Sequence, residues 1–214
     1  MAKFDLKKWT YIEDEDRWMT PKVRLTFVAL AKKFKQKDAK EGDDGSYCAT
    51  FIDRPTTDKS AIEKAIKKLS LETFKDKKGQ PINVLDKDKR GKIRTPFLDA
   101  EEELADITSK GEAVDLEGWN MVRPNAYSRR PVVRNAQGEE LDLDDIGTEA
   151  YSGRWARLIL QIKAYDRPDN KGIKFYVDSV QLLTNDDNIG GGGGSKGEAF
   201  EAVEDDEDDS DGLD

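Results

Sequence analysis

Arg154-Trp155-Ala156-Arg157-Leu158-Ile159-Leu160-Gln161-Ile162-Lys163-Ala164-Tyr165 is the stretch on which the fold turns. Split by parity, one side holds Ala156, Leu158, Leu160, Ile162 and Ala164. Period-2 alternation of this kind marks a half-buried strand with an apolar core stripe. The other side holds Trp155, Arg157, Ile159, Gln161, Lys163 and Tyr165. A face that only meets water is small or charged, whereas this one interleaves aromatics with cations.

C-terminal to it, Asp166 to Gly172 contains Pro168, Asn170 and Gly172 and reads as a turn. Ile173 to Leu183 follows as a strand with Lys174 and Tyr176 on one parity. Upstream, Trp119-Asn120-Met121-Val122-Arg123 forms a short strand stopped by Pro124. Arg130 to Arg134 forms another around Pro131, ended by the turn at Gln137-Gly138. Lys22 to Val28 alternates, which directs Val23, Leu25 and Phe27 inward and leaves Lys22 and Arg24 on the polar face. Tyr47 to Ile52 pairs with it in a long hairpin whose turn is marked by Gly42 and Gly45.

The helix signal lies just beyond. Ser60 and Glu63 have capping-box spacing, and Thr57 is a second capping candidate. Ile62, Ala65, Ile66 and Leu69 share one face, opposite Lys64, Lys67 and Lys68, which read as a solvated side. Residues 75–117 are polar, broken by Gly79, Pro81, Gly91 and Pro96, with a short helix near Glu101 to Asp106, and read as an insertion rather than a second domain. The pattern predicts a mainly β fold, a small Greek-key barrel of about five strands with one inserted helix and long polar loops.

Composition excludes several chemistries. The 214 residues include one cysteine, Cys48, and no histidine. An intrachain disulfide is impossible, and zinc sites built from Cys and His, like Ser-His-Asp and Cys-His catalysis, lack their groups. No apolar run approaches the roughly 20 residues of a membrane span, and the charged N-terminal stretch does not read as a signal peptide. Charge is divided unevenly along the chain. Ten of its 45 acids fall in residues 198–214, which hold no Lys or Arg, leaving 35 acids against 36 bases over residues 1–197. A glycine run, Gly190 to Gly194, precedes this polyanion. The composition reads as a flexible linker over 188–197 and a disordered acidic tail over 198–214, after a domain spanning 1–187. Such a tail imitates a nucleic-acid backbone and competes for a basic groove or docks on a partner.

Aromatic rings stack on bases while cations meet the intervening phosphates. The candidate DNA-binding residues are therefore Arg24, Trp119, Arg123, Tyr127, Arg129, Arg130, Arg154, Trp155, Arg157, Lys163, Tyr165, Lys174 and Tyr176. An adaptor or DNA mimic acting through the tail alone is the rival reading, and it requires Trp155 and Tyr165 to be buried. A metal-dependent nuclease built on Asp43, Asp44, Asp53 and Glu63 has no recognisable ligand spacing, and no Walker loop is present. No catalytic residue, metal or cofactor is assigned.

The order of short motifs adds a resemblance. Gly118-Trp119-Asn120, Arg123-Pro124-Asn125-Ala126, Arg130-Pro131-Val132-Val133, Ile146, Tyr151-Ser152-Gly153-Arg154-Trp155, Asn170-Lys171-Gly172-Ile173 and Val177-Asp178-Ser179-Val180-Gln181 follow one another. With Arg24-Leu25-Thr26-Phe27 and Phe51-Ile52 upstream, this series resembles the single-stranded-DNA-binding proteins of tailed bacteriophages over most of residues 20–185. The resemblance implies a five-stranded barrel of the oligonucleotide/oligosaccharide-binding (OB) type gripping single-stranded DNA. It further implies work in phage replication, recombination and repair in the cytoplasm of the infected host. The acidic tail would then contact phage or host replication proteins, with no membrane partner. Tails in that family often end in Phe, whereas this chain ends Gly212-Leu213-Asp214, so Leu213 or Phe200 would serve as the apolar anchor.

Overall fold

The computed structural model describes residues 5–35, 37, 41, 42 and 44–191. In chain order the strands are β1 (Thr10–Ile12), β2 (Arg17–Met19), β3 (Val23–Phe34) and β4 (Ser46–Asp53), followed by helix α1 (Ser60–Thr73). Next come β5 (Leu98–Asp99), α2 (Ala100–Glu103), β6 (Ile107–Ser109), β7 (Glu112–Ala113), β8 (Asn120–Val122), β9 (Asn125–Ala126) and β10 (Val132–Arg134). Helix α3 (Leu143–Glu149), β11 (Trp155–Asp166), β12 (Lys171–Leu182) and β13 (Ile189–Gly191) complete the order.

Five of these strands pair in a closed ring. β3 pairs with β4, β4 with β9, β9 with β12, β12 with β11, and β11 again with β3. Closure removes the exposed edges that an open sheet would carry. The ring is the barrel that the alternating strands implied, and the shorter strands decorate it. The apolar side of β11 fills the interior: Ala156, Leu158 and Leu160 are fully buried against Val23, Leu25, Phe51, Phe175 and Val180. Ile66 and Ile62 of α1 join this core. So does Trp9, whose ring lies 5.5 Å from Phe175 and 5.8 Å from Phe97.

Several local readings are corrected. Ser60 does not cap α1: it is the first helical residue, the N-cap position is Lys59, and Asp58 just before it accepts from the Ser60 backbone N–H at 2.9 Å and hydroxyl at 2.6 Å. The Glu63 N–H is taken by the Lys59 carbonyl at 2.9 Å and the Ser60 hydroxyl by Asp58, so the Ser60–Glu63 box does not form. Phe27 does not face inward: it is 43% exposed. Leu25 pairs with Phe51 but Phe27 pairs with Thr50, which makes Thr26 the extra residue of a β-bulge. The bulge reverses the parity of the strand, and Leu30 rather than Phe27 returns to the core.

Residues 75–117 carry more order than their composition suggests. Ser70 ties the end of α1 to them, donating to the Ile82 carbonyl at 2.6 Å and accepting from Val84 N–H at 2.9 Å. Strands β6 and β7 form a separate sheet with β13. Beneath it Ile52, Ala100, Ile107, Leu116, Met121 and Ile189 make a second small core. β13 thus takes residues 189–191, which composition had assigned to the linker. Residues 192–197 of the linker and the acidic tail lie outside the described residues. Gly153 holds this region to the barrel: at φ +109° it lies so near the Asp187 carbonyl that a Cβ would overlap it.

Candidate nucleic-acid interface

The outward face of β11 continues directly onto β12. Register places Gln161 beside Tyr176, Lys163 beside Lys174 and Tyr165 beside Gly172. Side chains directly opposite in an antiparallel pair stand on the same face, so these residues form one surface. The parallel pairing of β9 with β12 at Asn125–Tyr176 brings the following loop alongside and delivers Tyr127. Tyr127 and Tyr176 meet edge to face with ring centroids 6.3 Å apart.

Two lysines hold this pair. Lys174 Nζ lies 4.8 Å from each ring centroid and donates to the Tyr127 hydroxyl at 2.9 Å. Lys163 Nζ stands 5.7 Å from the Tyr176 ring. An open cleft here is lined by Tyr127, Arg129, Pro131, Gln161, Lys163 and Tyr176. Asp178 also borders it, its carboxylate paired with Arg17, which offsets that negative charge. Tyr127 is 49% exposed, so its ring is available to a ligand. Tyr165 sits two residues from Lys163, half-buried, its hydroxyl 3.4 Å from Asn170 Oδ1. Burial pushes its phenol above the ordinary value, against the pull of Arg94 and Arg167, so it stays neutral at physiological pH. Arg130 is exposed on the same loop as Arg129.

The opposite end of β11, about 26 Å along the strand from Lys163, is built differently. Trp155 is only 8% exposed. Arg54 lies 4.2 Å over its ring, with Lys22 at 5.1 Å and Arg24 at 5.8 Å. Its Nε1 donates to Asp186 at 2.7 Å. Burial acts to raise Asp186, but the Asp187 backbone N–H, Trp155 Nε1 and the Arg24 and Lys22 charges outweigh it and hold the carboxyl below its usual range. Arg24 donates to the carbonyls of Gly153 at 3.1 Å and Asp187 at 3.0 Å. Arg154 is buried, donating to the Leu183 carbonyl at 3.2 Å and facing Glu149 at 3.4 Å. The expectation that Trp155 and Arg154 are presented on an open face is therefore corrected: segments remote in sequence cover them and use their polar groups.

The remaining candidates are dispersed. Arg157 donates to Gln181 Oε1 at 2.7 Å. Trp119 packs against the second core, and Arg123 pairs with Glu103 at 2.8 Å. The structure thus brings Tyr127, Arg129, Lys163, Lys174 and Tyr176 together and sets Trp119, Arg123, Arg24, Arg154 and Trp155 in other roles. Gln161 and Asn125 belong to the surface without having been singled out; the partner register is the signal that finds them. Of the carboxylates considered for a metal, Asp43 lies outside the described residues. Asp53 is buried and accepts from Trp9 Nε1 at 2.9 Å and Thr57 Oγ1 at 2.7 Å. No helix among the described residues is long and apolar enough to cross a membrane.

Comparison with known proteins adds a family match. The model described as Enterobacter phage Enc34, ssDNA-binding protein matches residues 17–211. Among solved structures, the single-stranded DNA-binding protein from bacteriophage Enc34 in complex with ssDNA is similar with a TM-score of 0.64 and 20% identity, covering 88% of this chain and 96% of that one. Its C-terminal truncation is similar at 0.63 and 22%, with the same 88% and 96% coverage. gp2.5, a single-stranded DNA binding protein encoded by bacteriophage T7, is similar at 0.54 and 12%, over 79% of this chain and 92% of that one. No curated protein matches the chain.

Proposed function

The chain belongs to the family of the Enterobacter phage Enc34 ssDNA-binding protein, and on that premise we propose that its barrel grips single-stranded DNA in the cleft of Tyr127 and Tyr176. Bases stack on the two rings, and Lys163, Lys174 and Arg129 meet the phosphates between them. Binding of this kind has little sequence preference, because every base offers a π face. The observation that carries the reading is the convergence of two tyrosines and two lysines from β11, β12 and the loop after β9 on one open face. The protein acts by binding alone, without catalysis or a cofactor, in phage DNA replication, recombination and repair within the host cytoplasm.

The acidic segment 198–214 competes with DNA for the cleft and recruits replication proteins of phage or host. Charge supports this: ten acids without a compensating cation are attached to a body close to neutrality. Trp155 is buried, as the adaptor reading requires, but that reading offers no account of the tyrosine cleft. Titrating a labelled single-stranded oligonucleotide into the full chain and a form ending at Gly194 tests the proposal. Salt-sensitive binding that tightens without the tail is expected. Equal affinity of the two forms refutes competition, and absence of binding by both refutes the groove.

A further inference from the structure

The cleft is not the end of the aromatic surface. From Tyr176 the register leads across the barrel: Tyr176 pairs with Asn125, and Asn125 Nδ2 donates to Ser46 Oγ at 3.1 Å. Ser46 in turn pairs with Phe34. In register Asn125 pairs with Cys48, and Ser46, two residues before Cys48, takes the same side of β4. Gln161, Tyr176, Asn125, Ser46 and Phe34 therefore stand on one side of the barrel wall, joined at Asn125–Ser46 by the side-chain bond. Phe34 stands three strand spacings across and two residues along from Tyr176, about 16 Å in the plane of the sheet. Between them Asn125 and Ser46 are half-buried and polar, while Cys48 beside them is buried.

The far end of this row is an aromatic pair. Phe27 and Phe34 meet edge to face with centroids 5.1 Å apart. They are 43% and 45% exposed, although both are apolar. Two features place them there. The bulge at Thr26 turns Phe27 outward. Gly45, at φ +73°, approaches the Phe34 carbonyl so closely that a Cβ would collide with it. Exposed Lys32 and Lys35 flank Phe34 in the chain.

We infer that Phe27 and Phe34 are a second base-stacking platform on the same strand of DNA that occupies the tyrosine cleft. The inference rests on the proposed single-stranded-DNA binding and extends it across β11, β12, β9, β4 and β3. The occupant is a nucleobase because the pair continues a row whose other end already combines exposed rings with cations.

The test compares the wild-type chain, Phe27→Ala/Phe34→Ala and Phe27→Tyr/Phe34→Tyr in binding a labelled twelve-residue oligothymidylate over a range of salt. The alanine pair lowers affinity by about 5- to 150-fold for each base unstacked. The slope against log salt stays unchanged, because no charge is removed. The tyrosine pair restores affinity. Emission from Phe34→Trp falls on adding the oligonucleotide. Wild-type binding that the alanine pair matches within twofold overturns the inference and leaves the tyrosine cleft standing. So does an alanine pair that changes only the oligomeric state by light scattering, since the patch is then a contact between copies. Failure of the wild type to bind overturns the underlying reading and this inference with it.

Discussion

Replacing Lys163 and Lys174 with glutamine removes the two cations that stand over the tyrosine pair. Both are surface-facing, so the fold loses little: the cation–π contacts are worth about 0.5–1 kcal/mol each at exposed sites. The exposed Lys174–Tyr127 hydrogen bond adds about 1–2 kcal/mol. DNA binding loses more, and in a diagnostic way. Each phosphate contact to a single strand contributes about −0.7 to the slope of log affinity against log salt. Loss of two contacts flattens that slope by about 1.4, so the deficit of the variant shrinks by about 25-fold for each tenfold rise in salt. Fluorescence anisotropy of a labelled oligothymidylate at several salt concentrations between about 50 and 500 mM spans the range over which such contacts are usually resolved. Two parallel lines, displaced or not, refute the assignment of these lysines to phosphate.

Other consequences follow from the geometry. Trp155→Phe removes the hydrogen bond to Asp186 and lowers stability by about 1 kcal/mol, while single-strand affinity is expected to change less than about twofold because the ring is buried; a loss of affinity without a loss of stability contradicts this. Gly153→Ala strains a positive-φ position and drives a Cβ against the Asp187 carbonyl, which costs about 1–3 kcal/mol and lowers Tm on the order of 5 °C; an unchanged melting curve speaks against the packing described. Burial raises the Asp53 carboxyl in the folded state, against the Trp9, Thr57 and Lys59 interactions. Its ionisation therefore costs nothing below the unfolded carboxylate pKa, and the cost grows as pH rises through that value to the raised folded one. Asp53→Asn should gain stability relative to wild type across that acid window in urea titrations, and a relative loss with rising pH reverses the sign. Burial pushes the Cys48 thiol up to about 11, so a thiol reagent at pH 8 modifies the native chain far more slowly than the urea-unfolded one; equal rates would place the thiol at the surface.

The barrel was legible where parity holds over many residues. In β11 Ala156, Leu158 and Leu160 alternate without interruption, and the structure buries all three. Parity failed at Phe27 because one extra residue at Thr26 reverses the face, and no composition signal marks such a bulge. β1, β2 and the strands of the second sheet are two or three residues long, too short for periodicity to register. Trp9 was silent for the same reason: its place among Phe51, Phe97 and Phe175 is set by partners more than forty residues away.

The site was legible in part for a related reason. Lys163, Lys174, Tyr176 and Tyr127 follow from strand parity and the loop after Asn125, and they converge. Trp155 shares the parity of Lys163 but not its surroundings. Arg54 and Asp186, far from it in sequence, close over that end of β11. Alternation tells which side of a strand a residue takes, and it is silent on what else comes to cover that side.

Base stacking on Tyr127 and Tyr176 is tested by titrating one labelled single-stranded oligonucleotide, and its matched duplex, with the wild-type chain and with Tyr127→Ala/Tyr176→Ala. Salt-sensitive binding of the single strand by the wild type is expected, weakened by about 5-fold or more in the variant for each base that loses its ring. Wild-type binding that the tyrosine variant reproduces at every salt concentration, or no single-strand binding at all, would contradict it.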